Sequence, residues 1–88
     1  MARMPVIVKL KTGLHARPAA LFVQEANKFT AEINVEKDEK RVNAKSIMGI
    51  MSLAISSGTE IYISADGLDA DQAVQSLVAF VSRVELDI

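Results

Sequence analysis

The stretch Gly13-Leu14-His15-Ala16-Arg17-Pro18 combines residues that suit the transient phosphorylation of a histidine. A neutral imidazole is a good nucleophile, and Pro18 favours the first turn of a helix, which puts His15 at or just before the helix N-terminus. Free N–H groups and the dipole at that end favour an anion, and the planar fork of Arg17 bonds phosphate oxygens. The stretch predicts a phosphoryl acceptor, although the spacing alone also fits a His15 that only caps the helix.

The composition excludes several kinds of chemistry. The chain has no cysteine and a single histidine, which rules out disulfides, thiolate zinc sites and thiol catalysis. We therefore expect no metal and no cofactor. Its 88 residues are enough for one domain over 1–88, without room for a deep active site beside a core. The composition favours a carrier or binding module on which partner enzymes act. It does not favour an enzyme.

Charge and hydropathy argue against nucleic-acid and membrane partners. The formal net charge is −1 and there is no block of basic residues, so we expect no direct contact with nucleic acid. No apolar run approaches the roughly 18 residues that a membrane span needs. The first five residues lack the apolar stretch of a signal peptide, so we expect a cytoplasmic location.

Hydrophobic periodicity predicts seven elements in the order βαββαβα. The predicted strands cover residues 6–10, 32–36, 41–44 and 60–65, with Asp38 and Glu39 as the hairpin turn between the second and third. Because Glu39 stands where glycine is usual, the turn type stays open. The first helix follows Pro18 and buries a stripe of apolar residues: Ala19, Phe22, Val23, Ala26 and Phe29.

The last predicted helix begins at Asp69, which with Gln72 three residues later has the pattern of a capping box. Its apolar stripe consists of Ala70, Ala73, Val74, Leu77, Val81 and Val84. Two strands have one polar and one apolar face, so helices should cover one side of the sheet. The expected fold is α/β (α+β): an open-faced sandwich in which three helices cover one face of a four-stranded, mostly antiparallel sheet.

A short helix is predicted from Ile47 to about residue 53, with Ser46 at its N-cap. It has more apolar residues than two turns can bury on one face. From the residues alone, Ser46 could serve only as a helix cap. All the apolar residues of the helix could also lie in the core. Residues 37–41 are interpreted as a solvated hairpin and not as a binding site.

Two segments of the chain resemble the signatures of HPr, the histidine-containing phosphocarrier of the bacterial phosphotransferase system. They are residues 12–19, around His15, and residues 42–53, around Ser46. The resemblance covers nearly the whole chain and implies the same βαββαβα fold. It also implies that enzyme I phosphorylates His15 at the expense of phosphoenolpyruvate, that Arg17 stabilises the phosphate, and that IIA proteins receive the phosphoryl group.

The resemblance also implies roles for the short helix. Ser46 corresponds to a regulatory site that the HPr kinase/phosphorylase modifies at the expense of ATP. Negative charge there would oppose the docking of acidic partner surfaces. Following the family, we expect Ile50 and Leu53 in the core and an exposed partner-binding surface formed by Ile47, Met48 and Met51. Methionine suits a surface that meets several partners.

Two alternatives remain open. Several stretches, including Leu53-Ala54, are more similar to the Crh branch of the family, which typically has glutamine at the position of His15. A Crh-type protein, once phosphorylated at Ser46, would act as corepressor of the catabolite control protein, a transcription factor. The other alternative is a metabolite- or RNA-binding module, which the acidic residues of the expected open face oppose.

Overall fold

The structure is a computed structural model that describes residues 1–83. It confirms the predicted order of elements and the open-faced sandwich. The elements are β1 (Ala2–Ile7), α1 (Ala16–Ala26), β2 (Glu32–Lys37), β3 (Lys40–Asn43), α2 (Ile47–Ser52), β4 (Glu60–Asp66) and α3 (Ala70–Val81).

The four strands form one sheet in the order β1-β4-β2-β3, and all three neighbouring pairs are antiparallel. The register places Val6 opposite Ile61 and Val35 opposite Ile63. Because side chains alternate along a strand, apolar residues of neighbouring strands meet on one face, which the helices cover. The core between sheet and helices includes these fully buried residues: Phe22, Ile33, Val35, Ile50, Ile61, Ile63, Val74 and Leu77.

Helix α1 packs against α3 through both apolar and polar contacts. The rings of Phe22 and Phe80 meet edge to face, with centroids 5.7 Å apart. Nearby, the Ser76 hydroxyl donates a 2.6 Å hydrogen bond to the Glu25 carboxylate. That bond is the main reason why the pKa of Glu25 lies below its ordinary value. Together these contacts fix α1, whose first turn carries the candidate site.

Strand β1 lies earlier in the chain than predicted. Val8 and Leu10 are buried as their alternation indicated, but β1 ends at Ile7. The N–H of Val8 still bonds the carbonyl of Thr59, whereas that of Lys9 turns to Val81 at the end of α3. An alternating pattern indicates which side chains are buried, but it does not indicate which backbone groups pair with a neighbouring strand. The predicted strand range of 6–10 was therefore wrong.

Two smaller differences concern the ends of elements. Strand β3 covers Lys40–Asn43, one residue before the prediction. Helix α1 ends at Ala26, and Phe29 lies beyond it, half-buried against the core. The predicted α3 stripe is buried from Ala70 to Val81, and its last member, Val84, lies outside the described residues. None of the helices among residues 1–83 is long and apolar enough to cross a membrane.

The hairpin turn that the sequence left open has left-handed backbone at both central residues, Asp38 (φ 50°) and Glu39 (φ 70°). Lys37 and Lys40 are paired on either side of them. Positive φ at both positions of a two-residue loop is the type I′ geometry, whose twist matches that of the flanking strands. The twist therefore sets the turn even without its preferred glycine.

The predicted capping box at α3 was wrong. Asp69 does occupy the N-cap, but its side chain makes no hydrogen bond to its own helix. Its carboxylate instead accepts the N–H groups of Thr30 (2.9 Å) and Ala31 (2.8 Å), in the loop before β2. The bond from Thr30 is the main cause that lowers the pKa of Asp69 below its ordinary value of 3.8. Two unpaired donors from a distant loop take the oxygen atoms that would otherwise cap the helix.

We expect Asp69→Asn to lower the melting temperature at about pH 7, because an amide oxygen replaces the carboxylate that receives both N–H groups. A carboxyl group whose pKa is lowered by folding contributes stability above its ordinary pKa and loses it as the pH falls through the lowered value. Thermal melts of the variant and the wild type should therefore converge in acid. Asp66→Asn removes a charge nearby without these bonds and serves as the control. An equal effect of both variants at neutral pH would contradict this role of Asp69.

Candidate functional site

His15 is the N-cap residue of α1, as the sequence predicts. Its backbone is extended (φ −118°, ψ 153°), and its side chain makes no capping hydrogen bond. The residue is exposed, and Pro18 lies in the first helical turn behind it. The imidazole is therefore accessible from solvent and makes no hydrogen bond to any other group within residues 1–83.

The backbone beside His15 has a geometry that suits an anion. Ala16 has left-handed backbone (φ 49°), and the right-handed helical residues follow from Arg17. Successive left- and right-handed residues turn their N–H groups to the same side, which is a common cradle for anions. The N–H groups of Ala16 and Arg17 belong to the first turn, where no preceding helical carbonyl can accept them. The Arg17 side chain is also exposed and can add its guanidinium.

The loop before His15 is anchored to the turn that follows α2. Leu14 is fully buried, and its N–H donates to the carbonyl of Ile55 at 2.9 Å. Gly13 has φ 67°, and a Cβ atom there would overlap the Ile55 carbonyl oxygen and lie 2.9 Å from the Cα of Ser56. Only glycine allows this approach of two backbones, so the position of His15 depends on it.

Ser46 is the N-cap of α2, which confirms the predicted cap. Its backbone is extended (φ −110°, ψ 115°), and its hydroxyl oxygen accepts the N–H of Gly49 at 3.1 Å. The residue is half-buried. Its neighbour Lys45 donates from Nζ to the Phe29 carbonyl at 2.7 Å, which ties the start of α2 to the end of α1.

The apolar residues of α2 divide between core and surface as expected. Ile50 is fully buried and Leu53 is 3% exposed. Ile47, Met48 and Met51 are 40%, 77% and 45% exposed, and these three residues are called the α2 surface below. Three exposed apolar side chains on so short a helix are typical of an interaction surface.

Helices α1 and α2 pack side by side and run in opposite directions. The start of α2 lies at the end of α1 through Lys45 and Phe29, and the end of α2 lies at the start of α1 through Ile55 and Leu14. The structure therefore places His15 and Arg17 near the Met51 end of the α2 surface. Ser46 lies at the other end, separated by the length of a six-residue helix, about 9 Å.

Lys37 was wrongly grouped with a solvated hairpin. Its Nζ atom donates to the carbonyls of Leu53 (2.8 Å) and Ala54 (3.2 Å), at the end of α2. Asp38, Glu39 and Lys40 are exposed as predicted. The sequence carries no signal for this contact, because the partners are 16 and 17 residues away and are backbone atoms.

Charge is distributed unevenly around the site. Residues 9–24 and 40–59 contain basic residues but no Asp or Glu. On the opposite, open face of the sheet, the Arg3 guanidinium lies 4.1 Å from the centre of the Tyr62 ring and pairs with Glu36 at 3.6 Å. This covered ring offers no stacking platform for RNA bases. Among residues 1–83, no cluster of three metal-ligating side chains occurs.

Comparisons with known proteins show the family to which the chain belongs. A family model described as the PTS HPr component phosphorylation site matches residues 3–83. The HPr-like protein Crh of Halalkalibacterium halodurans is 61% identical over 83 residues, which are 94% of this chain and 99% of that protein. Phosphocarrier protein HPr of Bacillus anthracis is 61% identical, with a TM-score of 0.90 over 91% of this chain and 95% of that one. Crh of Bacillus subtilis, in a domain-swapped dimer, is 57% identical, with a TM-score of 0.76 over 99% and 100% of the two chains.

The fold and the exposed histidine define a class of protein, the small phosphocarriers, which carry a phosphoryl group and do not catalyse its transfer. The chain belongs to the HPr family of the phosphotransferase system, which includes the Crh proteins of carbon catabolite repression. Membership implies contacts with enzymes of that system and with regulatory partners.

The close approach at Gly13 leads to a test with a matched control. Gly13→Ala should lower the free energy of unfolding by roughly 3 kcal/mol, because the new Cβ atom meets the backbone of Ile55 and Ser56 and also strains a left-handed residue. Gly58 is left-handed too (φ 88°), but a Cβ atom there meets nothing within 4 Å. Gly58→Ala should therefore cost only about 1 kcal/mol. Urea unfolding of both variants measures the difference. Equal losses of unfolding free energy would contradict close packing of the Gly13 backbone against that of Ile55 and Ser56.

Proposed function

We propose that this chain is a working phosphocarrier that accepts a phosphoryl group on His15 from enzyme I and passes it to sugar-specific IIA proteins. The observation that carries the proposal is an accessible His15 at the start of α1, beside Arg17 and first-turn N–H groups that have no helical acceptor. Crh proteins typically have glutamine at this position, which cannot accept a phosphoryl group. Overall identity does not separate the two branches, since a Crh and an HPr both match at 61%.

The transfer needs little from the carrier itself. An unprotonated ring nitrogen of His15 attacks the phosphorus atom, a new P–N bond forms, and the bond to the donor enzyme breaks as the phosphoryl group moves. The N–H groups of Ala16 and Arg17 and the Arg17 guanidinium then receive the phosphate oxygens. Exposure of the site limits how tightly these groups hold the phosphate, and a carrier that bound it tightly would not release it to the next protein.

Docking of the partners is assigned to the α2 surface, Ile47, Met48 and Met51. These side chains lie on the same side of the domain as His15, within chain segments that carry only basic charges. An apolar centre with a basic surround fits partners that present an apolar patch with acidic residues around it. The same surface can serve enzyme I and the IIA proteins in turn, because methionine side chains adapt to different shapes.

Ser46 is assigned the regulatory phosphorylation, by the HPr kinase/phosphorylase. The hydroxyl oxygen that now accepts the N–H of Gly49 would become a phosphate dianion at the same helix end, where negative charge is stabilised. The fold should tolerate the modification. Its effect would be electrostatic, since the dianion adjoins Ile47 and repels the acidic residues of a docking partner.

A second candidate function is that of a Crh-type regulator. Similarity to Crh over 94% of this chain favours it. In that case the form phosphorylated at Ser46 binds the catabolite control protein as a corepressor through the α2 surface, without touching DNA itself, and His15 has no partner.

Incubation with phosphoenolpyruvate and enzyme I tests the carrier function directly. We expect mass spectrometry to show one acid-labile phosphoryl adduct on the wild type and none on His15→Ala. The variant should melt at nearly the wild-type temperature, because the His15 side chain is exposed and makes no capping bond. If the wild type gains no adduct but is still modified at Ser46 by the kinase and ATP, the carrier proposal is contradicted. The Crh-type regulatory function is then the one that remains.

Ser46→Asp should slow the phosphorylation of His15 by enzyme I about tenfold, which corresponds to ~1.4 kcal/mol. The reason is repulsion between the new charge and the acidic surface of the partner, so the deficit should shrink as the salt concentration rises. Gln75→Glu adds the same charge on an exposed position of α3 and should leave the rate unchanged. A deficit that does not respond to salt would contradict this electrostatic mechanism.

A further inference from the structure

Lys37 is the last residue of β2, yet its ammonium group reaches the end of α2. The Nζ atom donates to the carbonyl of Leu53 at 2.8 Å and to that of Ala54 at 3.2 Å. The last carbonyls of a helix have no helical partner, and a cation there bonds them and also meets the negative end of the helix dipole. Lys37 thus supplies the C-terminal cap of α2 from the neighbouring strand.

The turn that Lys37 caps is one that needs such support. Ala54 follows the C-cap residue Leu53 and has left-handed backbone (φ 49°), where helices usually place glycine. A left-handed alanine costs roughly 1–2 kcal/mol relative to ordinary backbone. Such a conformation persists only when its surroundings hold it, and the bonds from Lys37 to the two carbonyls on either side of the Ala54 Cα do so.

The same turn connects the two parts of the proposed site. Ile55, directly after Ala54, accepts the N–H of Leu14 at 2.9 Å, next to His15. The N–H of Ala54 bonds the carbonyl of Met51 at 3.2 Å, within the α2 surface. One short backbone segment, residues 51–55, therefore sets where the acceptor histidine lies relative to the docking residues.

We propose that Lys37 is a positioning residue for phosphoryl transfer. It holds residues 53–55 in the conformation that places His15 correctly while a partner is bound to the α2 surface. The inference rests on the proposed carrier function and goes further, since it assigns a role to a residue outside both sequence signatures. Lys37 itself touches neither the phosphoryl group nor the nucleophile.

The test compares Lys37→Met with Lys40→Met in phosphorylation by enzyme I. Both variants remove one positive charge from the same hairpin, but the Lys40 side chain is exposed and makes no hydrogen bond or ion pair within residues 1–83. Misplacing reacting groups by a fraction of an ångström slows transfer more than it weakens docking. We expect Lys37→Met to lower kcat about five- to tenfold with little change in KM, Lys40→Met to match the wild type, and Lys37→Arg to recover most of the rate.

Amide hydrogen exchange gives a second measurement that does not depend on the partner. In Lys37→Met, the N–H groups of Leu14 and Ala54 should exchange at least about fivefold faster, while core amides of β4 keep their protection. Lys37→Gln provides a polar replacement if the methionine variant folds poorly. Unaltered exchange at Leu14 in a folded variant overturns the proposal.

The kinetic outcomes separate the two levels of inference. Failure of the wild type to accept a phosphoryl group contradicts both the carrier function and the role of Lys37. A normal wild type with equal rates in Lys37→Met and Lys40→Met leaves the carrier function intact and overturns the positioning role. A rise in KM alone would make Lys37 a docking residue, which also overturns it.

Discussion

The hydrogen bond from the Leu14 N–H to the Ile55 carbonyl is the constraint on which the site depends. It joins the start of α1 to the end of α2, and the absence of a side chain at Gly13 lets the two backbones meet. Because backbone atoms form this junction, the His15 side chain is not needed to hold the start of α1 in place. A modification of the imidazole would therefore leave the helix that presents it undisturbed.

The two faces of the sheet have divided roles. Helices cover one face and present the basic segments, the histidine and the α2 surface. The other face is open, and there Arg3 covers Tyr62 and neutralises Glu36, so aromatic and charged groups satisfy one another within the sheet. The groups to which the proposed docking is assigned therefore all lie on the helical side, directly above the core.

Much of this arrangement could be predicted from local sequence. Pro18 located the start of α1 and hence His15, the spacing of apolar residues located α2 and α3, and Ser46 is the cap that its type suggested. What could not be predicted depends on distant partners. Asp69 bonds N–H groups 38 and 39 residues away, and Lys37 bonds carbonyls 16 and 17 residues away. In both cases the acidic or basic side chain is visible in the sequence, but the backbone group that attracts it appears only when the chain is folded.

The brevity of α2 has a consequence for recognition. A six-residue segment is far shorter than the roughly 12–15 residues that a helix needs to persist by itself in water. Its conformation is supplied by Ser46 at one end, by Lys37 at the other and by Ile50 beneath. Partners that dock as proposed would therefore recognise a conformational epitope and not a linear motif. A synthetic peptide of residues 46–53 would present the same side chains in the same order and yet lack the helical shape that the fold gives them.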